Sequence, residues 1–254
     1  HWQSRGLGDV YKRQDKRVNG KGKKILKKNN LEVKSGLLEN QIKNLYQGYI
    51  LNRKENRPKI ILKLAITKDG YITFEKGKRT KITNLISDKY SDILRSEVDA
   101  ILVGANTVRI DNCILKCKMT GLINKSPIRI VLNRKLDLST NSKIFKNCKE
   151  FRTILFTSNS RKNLIKNYEK KGVEVTFLKK EFYTLKNILK KLSSLGISNL
   201  LVEGGGKIFN SFFKENFFDY IYIFRSNFFS GIKEKKFSEA KICLLYTSDA
   251  ADEE

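Results

Sequence analysis

The strongest constraint on the fold is an alternation of short, β-rich apolar runs with longer amphipathic segments. Seven such runs follow one another along the chain, at 59–65, 100–104, 128–132, 153–156, 173–178, 199–202 and 220–224. Helical patterns separate several of them, since apolar residues there recur every three or four positions. Strands that alternate with helices predict a layered α/β fold around a mostly parallel sheet.

Two segments carry the clearest helical spacing. The first is predicted over 184–195, where Thr184 is suited to cap the start and Gly196 to end the helix. Its apolar face consists of Leu185, Ile188, Leu189, Leu192 and Leu195. The second is predicted over 37–51, from the spacing of Leu37, Leu38, Ile42, Leu45 and Tyr49.

Composition narrows the function classes. The 254 residues include 52 Lys and Arg against 26 Asp and Glu, a formal charge of +26. That excess allows a nucleic-acid-binding module, but the lysines are dispersed along the chain, which is typical of a solvated surface. A hydrophobic content of 40% excludes a typical disordered chain. No apolar run is long enough for a transmembrane helix, and no secretory signal is visible.

The cysteines and the histidine exclude several catalytic and metal sites. Four cysteines without a regular pairing pattern favour a reducing cytoplasm over a disulfide scaffold. The single histidine, His1, argues against a His-rich metal site and against Ser-His or Cys-His catalysis. Cys113 and Cys117 lack a second pair that would complete a zinc site, so we predict no metal.

Both ends of the sequence look foreign to the rest. Residues 9–14 (DVYKRQ) and 243–248 (CLLYTS) can be encoded by opposite strands of one short DNA element, which resembles a sequencing-library adapter. We therefore expect residues 1–14 and 243–254 to be adapter-derived. Residues 15–242 are then the native stretch.

Two glycine-containing turns could carry chemistry. Residues 201–210 (LVEGGGKIFN) predict a strand, a triple-glycine turn and a helix start, where free N–H groups favour anions. The pattern is neither G-x-G-x-x-G nor a P-loop, so a plain tight turn remains an alternative. Residues 63–70 (KLAITKDG) predict a strand that ends in an Asp-Gly turn, which is also ordinary hairpin chemistry.

The order of these patterns is more specific than any one of them. The ordered set is KLAITKDG at 63–70, KIT at 81–83, Arg95, DAILVGANTVRID at 99–111, PIRIVL at 127–132 and VEGGG at 202–206. It resembles the reductase domain of the bifunctional riboflavin-biosynthesis deaminase-reductase. The resemblance implies a dihydrofolate-reductase-like three-layer α/β fold with a mostly parallel central sheet. Residues 58–242 would form the reductase domain, without its last strands, and 15–57 the tail of the deaminase domain and a linker helix.

The resemblance also implies a reaction, in which NADPH reduces the ribosyl group of 5-amino-6-(5-phosphoribosylamino)uracil to the ribitylamino product. The family's deaminase zinc ligands are absent from this sequence, so deamination is not expected. The expected partner is this small phosphorylated pyrimidine, with neither nucleic acid nor membrane involved. A cytoplasmic enzyme is expected, as a homodimer or higher homo-oligomer when complete. A related reductase of another pyrimidine or pterin, and a basic nucleic-acid-binding module, remain the alternatives.

Site residues follow from the resemblance position by position. On the cofactor side it implies Ala65, Lys81, Thr107, Asp111, Arg134, Gly205, Gly206, Lys207, Ile208, Phe209, Asn210 and Ser211. On the substrate side it implies Arg79, Arg95, Leu115, Lys118 and Glu203, with Asp111 and Lys63 as catalytic residues. Arg95 and Lys118 would offer cations to the substrate phosphate, and Glu203 would offer acceptors to pyrimidine N–H groups. Lys81, Arg79 and Arg134 depart from the residues usual in the family.

Overall fold

A single parallel sheet organises the part of the chain that the structure describes. The computed structural model describes residues 20–34, 38–72, 82, 84–227 and 229. The strands are β1 Lys59–Ile66, β2 Ala100–Gly104, β3 Ile128–Leu132, β4 Thr153–Thr157, β5 Glu174–Phe177, β6 Asn199–Glu203 and β7 Tyr220–Arg225. The seven strands lie in the order β5-β4-β3-β2-β6-β1-β7, and every neighbouring pair is parallel. The predicted α/β class, its parallel sheet and all seven predicted strands are therefore confirmed.

Helices cover both faces of the sheet. They are α1 Lys21–Lys28, α2 Glu39–Glu55, α3 Leu85–Ser96, α4 Ala105–Asp111, α5 Lys162–Glu169, α6 Leu185–Ser194 and α7 Gly206–Lys214. Alternate residues of a strand point to opposite faces, so Leu62 packs in a cluster with α6 and α7 residues, whereas Ile61 packs with residues of α3, α4 and α5. Burial of apolar side chains on both faces explains the near-continuous apolar runs.

Local signals in the sequence set the ends of several elements. The side chain of Thr184 accepts a hydrogen bond from Asn187 N at 3.3 Å and caps α6, as predicted. Gly196 follows this helix at a φ of +84°, in the left-handed region that favours glycine. After β1, Gly70 adopts a φ of +86° and its N–H donates to Thr67 O, which forms the predicted Asp-Gly turn.

A buried arginine on β3 holds the loops that lie next to it. Arg129 on β3 is fully buried and donates to Thr153 Oγ1 at 2.9 Å and to Phe151 O at 2.7 Å. Its guanidinium also reaches Ile114 O at 3.3 Å, in the loop after α4. Burial lowers the pKa of Arg129, and these oxygens compensate by accepting its hydrogen bonds. The contact anchors a loop that contributes residues to the site described below.

Helix α2 confirms the helix predicted over 37–51, and most of its apolar stripe is exposed. Leu45 is 81% exposed and Tyr49 is 37% exposed, so the apolar stripe from which the helix was predicted does not face this sheet. The helix instead docks through Asn52, whose Nδ2 donates to Ser193 O and Ile197 O. Gly48 lies where α2 approaches the segment before β6 most closely, because a Cβ there would come within 2.6 Å of Ser198 O.

Gly48→Ala should therefore destabilise the protein, although alanine is normally the better helix former. The added methyl would meet backbone, and relieving such an overlap costs about 1–3 kcal/mol. We expect a lower thermal midpoint and faster proteolysis within α2. Lys54→Ala, on the exposed side of the same helix, is the control and should change the midpoint little. A Gly48→Ala variant as stable as this control would contradict the described docking.

Candidate functional site

The candidate site lies at the carboxyl ends of β1, β6 and β2, which are neighbours in the sheet. Parallel strands end at the same edge, and ligands of open α/β sheets bind in the crevice outside that edge. Lys63 on β1 is paired in register with Glu203, the last residue of β6. The glycine turn follows Glu203 directly, and α7 begins at Gly206.

The glycine turn brings the starts of α4 and α7 together. Gly205 N donates to Thr107 Oγ1 at 3.2 Å, which links the turn to α4. A Cβ at Gly104 would lie 2.6 Å from Ile208 Cγ1, and one at Gly204 would lie 3.6 Å from Thr107 Oγ1. Neither helix has a side-chain cap at its start. At the start of α7 the N–H groups of Ile208 and Phe209 donate to Gly205 O, and those of Gly206 and Lys207 face the edge of the sheet without a side-chain cap, which favours an anion there.

A buried ion-pair network lies beside the glycine turn. Arg95 at the end of α3 donates from Nε to Glu203 Oε1 at 3.0 Å and from Nη2 to Glu203 Oε2 at 2.8 Å. Its Nη1 donates to Asp92 Oδ1 at 3.0 Å. This bidentate contact between guanidinium and carboxylate fixes the plane of the Glu203 carboxylate. Arg95 is thus engaged with two carboxylates and is not the open cation that the sequence predicted for a phosphate.

The same charges set the protonation of the network. Burial would raise the pKa of Glu203, but the charges of Arg95 and Lys63 and the Arg95 hydrogen bonds hold that pKa below its ordinary value. Burial opposes the charge of Arg95, yet Glu203 and Asp92 raise the pKa of Arg95 above its ordinary value. Glu203 is therefore an ionised carboxylate at neutral pH, with a lone pair left on each oxygen for a ligand donor.

Other predicted site residues occupy varied surroundings. Ala65 lies on β1 beside Phe224, and Asp111 is the last residue of α4. The Leu115 side chain is only 7% exposed and packs in the core, so any substrate contact would come from its backbone. The Lys118 side chain is exposed. Arg79 and Lys81 lie outside the described residues.

A thiol near this network stays protonated. Cys113 lies in the loop after α4, close enough for Asp111, Glu203 and Arg95 to influence it electrostatically. Burial and the neighbouring Asp111 carboxylate raise the pKa of Cys113 to about 12. Cys113 is therefore not a nucleophile at neutral pH.

A basic cleft of about 620 Å³ follows the ends of β3 and β4. It is lined by Arg134, Lys135, Ser158, Asn159, Ser160, Arg161 and Lys180. Of these residues, only Arg134 was predicted from the sequence. The signal for Lys135 and for residues 158–161 was their place directly after two buried strands, where parallel sheets present loop residues to a ligand, whereas Lys180 follows the partly exposed strand β5.

Two features are absent from the described residues, a membrane-spanning helix and a cluster of metal ligands. None of the helices in these ranges has the length and apolar content needed to cross a bilayer. The same ranges hold no group of three or more His, Cys, Asp and Glu side chains suited to a metal ion.

The Glu203 ion pair should make stability depend on pH. The unfolded carboxyl titrates near 4.5 and the folded one lower, so the pair stabilises the fold above that value and loses its effect as the pH falls through the folded pKa. Glu203→Gln should therefore lower the free energy of unfolding near neutral pH, with a gap that narrows in acid. Urea titrations of both proteins from neutral to acid pH measure this difference in the free energy of unfolding.

Glu174→Gln is the matched control for that experiment. Glu174 also accepts two hydrogen bonds from one arginine, Arg152, but both side chains are about half exposed. Because solvent screens such a pair, its removal should change the unfolding free energy less. A Glu203→Gln gap that does not change with pH would contradict the ionised state of Glu203.

Known proteins are similar in sequence to most of this chain. RibD from Aquifex aeolicus is 39% identical over 207 residues, which cover 82% of this chain and 57% of that protein. The 2,5-diamino-6-ribosylamino-4(3H)-pyrimidinone 5′-phosphate reductase of Archaeoglobus fulgidus is 30% identical over 69% of this chain and 83% of its own length. The chain thus spans little more than half of RibD but most of the archaeal reductase.

Solved structures agree with the fold. A deaminase/5-amino-6-(5-phosphoribosylamino)uracil reductase from Thermotoga maritima superposes with a TM-score of 0.72 at 30% identity, covering 85% of this chain and 58% of that one. RibD from Acinetobacter baumannii gives 0.74 at 26% identity, covering 84% and 58%. A family model described as the RibD C-terminal domain matches residues 58–241. The chain therefore belongs to the RibD C-terminal domain family.

Proposed function

We propose that this chain reduces the ribosyl group of a ribosylaminopyrimidine phosphate, 5-amino-6-(5-phosphoribosylamino)uracil, with a nicotinamide cofactor. The observation that carries the proposal is that a glycine turn and an uncapped helix start directly follow a buried, ionised carboxylate at one sheet edge. The turn suits a dinucleotide, and the carboxylate suits the N–H groups of a pyrimidine. The Thermotoga protein is named a reductase of this uracil compound, and the Archaeoglobus protein a reductase of a 6-ribosylaminopyrimidinone phosphate, which supports the same class of reaction.

The glycine turn and the helix starts fit the phosphates of a dinucleotide. A side chain at Gly104 would overlap Ile208, so glycine at this position lets the start of α7 pack closely against the end of β2. The N–H groups of Gly206 and Lys207 at the start of α7 would bind the pyrophosphate, since those of Ile208 and Phe209 donate to Gly205 O. Ala65, Thr107, Asn210 and Ser211 remain proposed cofactor contacts. When bound, the cofactor supplies the hydride, and the chain's own residues bind and orient both ligands.

The charged network would hold the pyrimidine side. Glu203 would accept hydrogen bonds from ring N–H groups with the lone pairs that Arg95 leaves unused. We assign Arg95 the role of holding Glu203 in place, and the exposed Lys118 the role of binding the substrate phosphate. Asp111 would orient the ribose or relay a proton at its reacting carbon, and Lys63 would keep Glu203 ionised from the adjacent strand.

Turnover of the intact chain tests this proposal. We expect cofactor oxidation that requires the ribosylaminopyrimidine phosphate, and a fall of kcat/KM by about a hundredfold or more in Glu203→Gln and Arg95→Ala, because each leaves a buried polar partner unpaired. Glu97→Gln, exposed at the end of α3, should retain activity. Turnover with a pterin or another pyrimidine in place of this substrate would support the runner-up reductase. Salt-dependent binding of DNA or RNA without turnover would support the nucleic-acid alternative.

We further propose NADPH as the preferred cofactor, on the evidence of the basic cleft after β3 and β4. Arg134 and Arg161 both line it, and the Arg134 guanidinium lies 5.6 Å from the centre of the Tyr183 ring. Guanidinium groups bind phosphate with paired N–H donors, so this cleft suits the extra phosphate that distinguishes NADPH from NADH.

Arg134→Ala should raise KM for NADPH about tenfold and leave KM for NADH nearly unchanged, since one charge-assisted phosphate contact is worth roughly this much. Lys170→Ala provides the control, because Lys170 lines a separate basic groove away from the strand ends. Equal effects of Arg134→Ala on both cofactors would contradict the assignment.

The predicted homo-oligomer, cytoplasmic location and domain limits stay predictions.

A further inference from the structure

Asp92 is a buried carboxylate to which the proposed reaction assigns no part. It lies on α3, and its side chain is almost entirely enclosed. Its Oδ1 accepts from Arg95 Nη1 at 3.0 Å, while its Oδ2 accepts from the backbone N–H groups of Lys118 at 2.7 Å and Met119 at 2.9 Å. Three donors on one buried carboxylate fix its orientation, because each loss would leave a polar group unsatisfied.

Through these contacts Asp92 connects two parts of the candidate site. On one side it holds the backbone of Lys118, whose exposed ammonium is proposed to bind the substrate phosphate. On the other side it holds the guanidinium of Arg95, which grips both oxygens of Glu203. A continuous chain of hydrogen bonds therefore runs from Lys118 to the last residue of β6.

The loop that carries Lys118 is fixed from its other side as well. Cys117 N donates to Ser126 Oγ at 3.0 Å, and the Cys117 thiol contacts Asp92 O at 3.5 Å. Leu115 anchors the start of this loop in the core. The backbone is thus held rigidly while the Lys118 side chain stays at the surface, an arrangement that places a charge without burying it.

We propose that Asp92 is a positioning residue that sets the span between Lys118 and Glu203. That span would match the distance from the phosphate to the pyrimidine ring of one substrate molecule, and the inference rests on the proposed function. Asp92 itself contacts no ligand. It acts through the Lys118 backbone and through Arg95, so its loss should weaken substrate binding without affecting the cofactor side.

Asp92→Asn is the sharpest test, because asparagine keeps the size of the side chain. Whichever way the amide turns, its NH2 group faces an N–H donor, either of Arg95 or of the Lys118 and Met119 backbone. In the intact chain we expect KM for 5-amino-6-(5-phosphoribosylamino)uracil to rise about tenfold and KM for the nicotinamide cofactor to stay within about twofold, as for displaced binding groups. Glu97→Gln on the same helix is the control.

A double-mutant cycle separates positioning from general destabilisation. Lys118→Ala alone should raise the pyrimidine KM, and adding Asp92→Asn should raise it by a smaller factor than Asp92→Asn does in the wild type, since the part of its effect that passes through Lys118 is already lost. Effects that multiply, or an Asp92→Asn variant with unchanged pyrimidine KM, would overturn the proposal. Equal rises of both KM values would also overturn it, because a merely structural residue would affect both sides.

Ser126→Ala is a second test of the same loop. If Asp92→Asn does not fold, Ser126→Ala loosens the same loop from its other side and should still raise the pyrimidine KM at least about threefold, the loss expected of one hydrogen bond. An unchanged KM in Ser126→Ala would then overturn the role of the loop. If the wild-type chain neither turns over nor binds the pyrimidine phosphate in calorimetry, the proposed function fails and the role of Asp92 fails with it. If the wild-type chain turns over and Asp92→Asn binds the pyrimidine phosphate normally, only the proposed role of Asp92 is contradicted.

Discussion

The position of β6 between β1 and β2 is the constraint on which the rest of the structure depends. Leu200, Leu201 and Val202 are at most 2% exposed, and they pair in parallel register with both neighbouring strands. Because all three strands end at one edge, this insertion sets Glu203 beside Lys63 and places the glycine turn against the start of α4. The site is therefore a consequence of sheet order, and it requires contacts between segments far apart in the chain.

Charge balance explains how the fold tolerates so many buried ionic groups at that edge. Asp92 and Glu203 share the Arg95 guanidinium, and Lys63 supplies a second cation from the adjacent strand. Two acids against two cations leave no uncompensated charge, which is the condition under which a buried ion pair avoids a large desolvation cost. Removing any one member would leave a charge without its partner. The network is consequently more sensitive to substitution than the exposed pair of Arg152 and Glu174.

Sequence reasoning succeeded where the signal was local and failed where it required tertiary partners. The five inner strands and α6 were predictable, because burial on both faces and a side-chain cap leave a readable pattern over a few residues, and the partly exposed edge strands β5 and β7 still carry short β-rich apolar runs. The apolar spacing of α2 predicted a helix, but the docking face is marked by Gly48 and Asn52, which carry no amphipathic signal. The position of Arg95 was predicted, yet its pairing with Glu203 spans 108 positions, so its engagement could not be foreseen.

Net charge is a poor guide to what this surface binds. The sequence carries a formal +26, but the network at the strand ends is internally balanced, so it offers no general attraction for anions. Anion binding there must come from local groups: the N–H groups at the start of α7, the exposed Lys118 and the cleft that Arg134 lines. The start of α7 and the Arg134 cleft follow specific strand ends, whereas Lys118 lies in a loop whose backbone Asp92 holds. In the proposed function, selectivity for a phosphorylated pyrimidine and a dinucleotide therefore depends on geometry at the sheet edge, and the dispersed lysines contribute only a screened background.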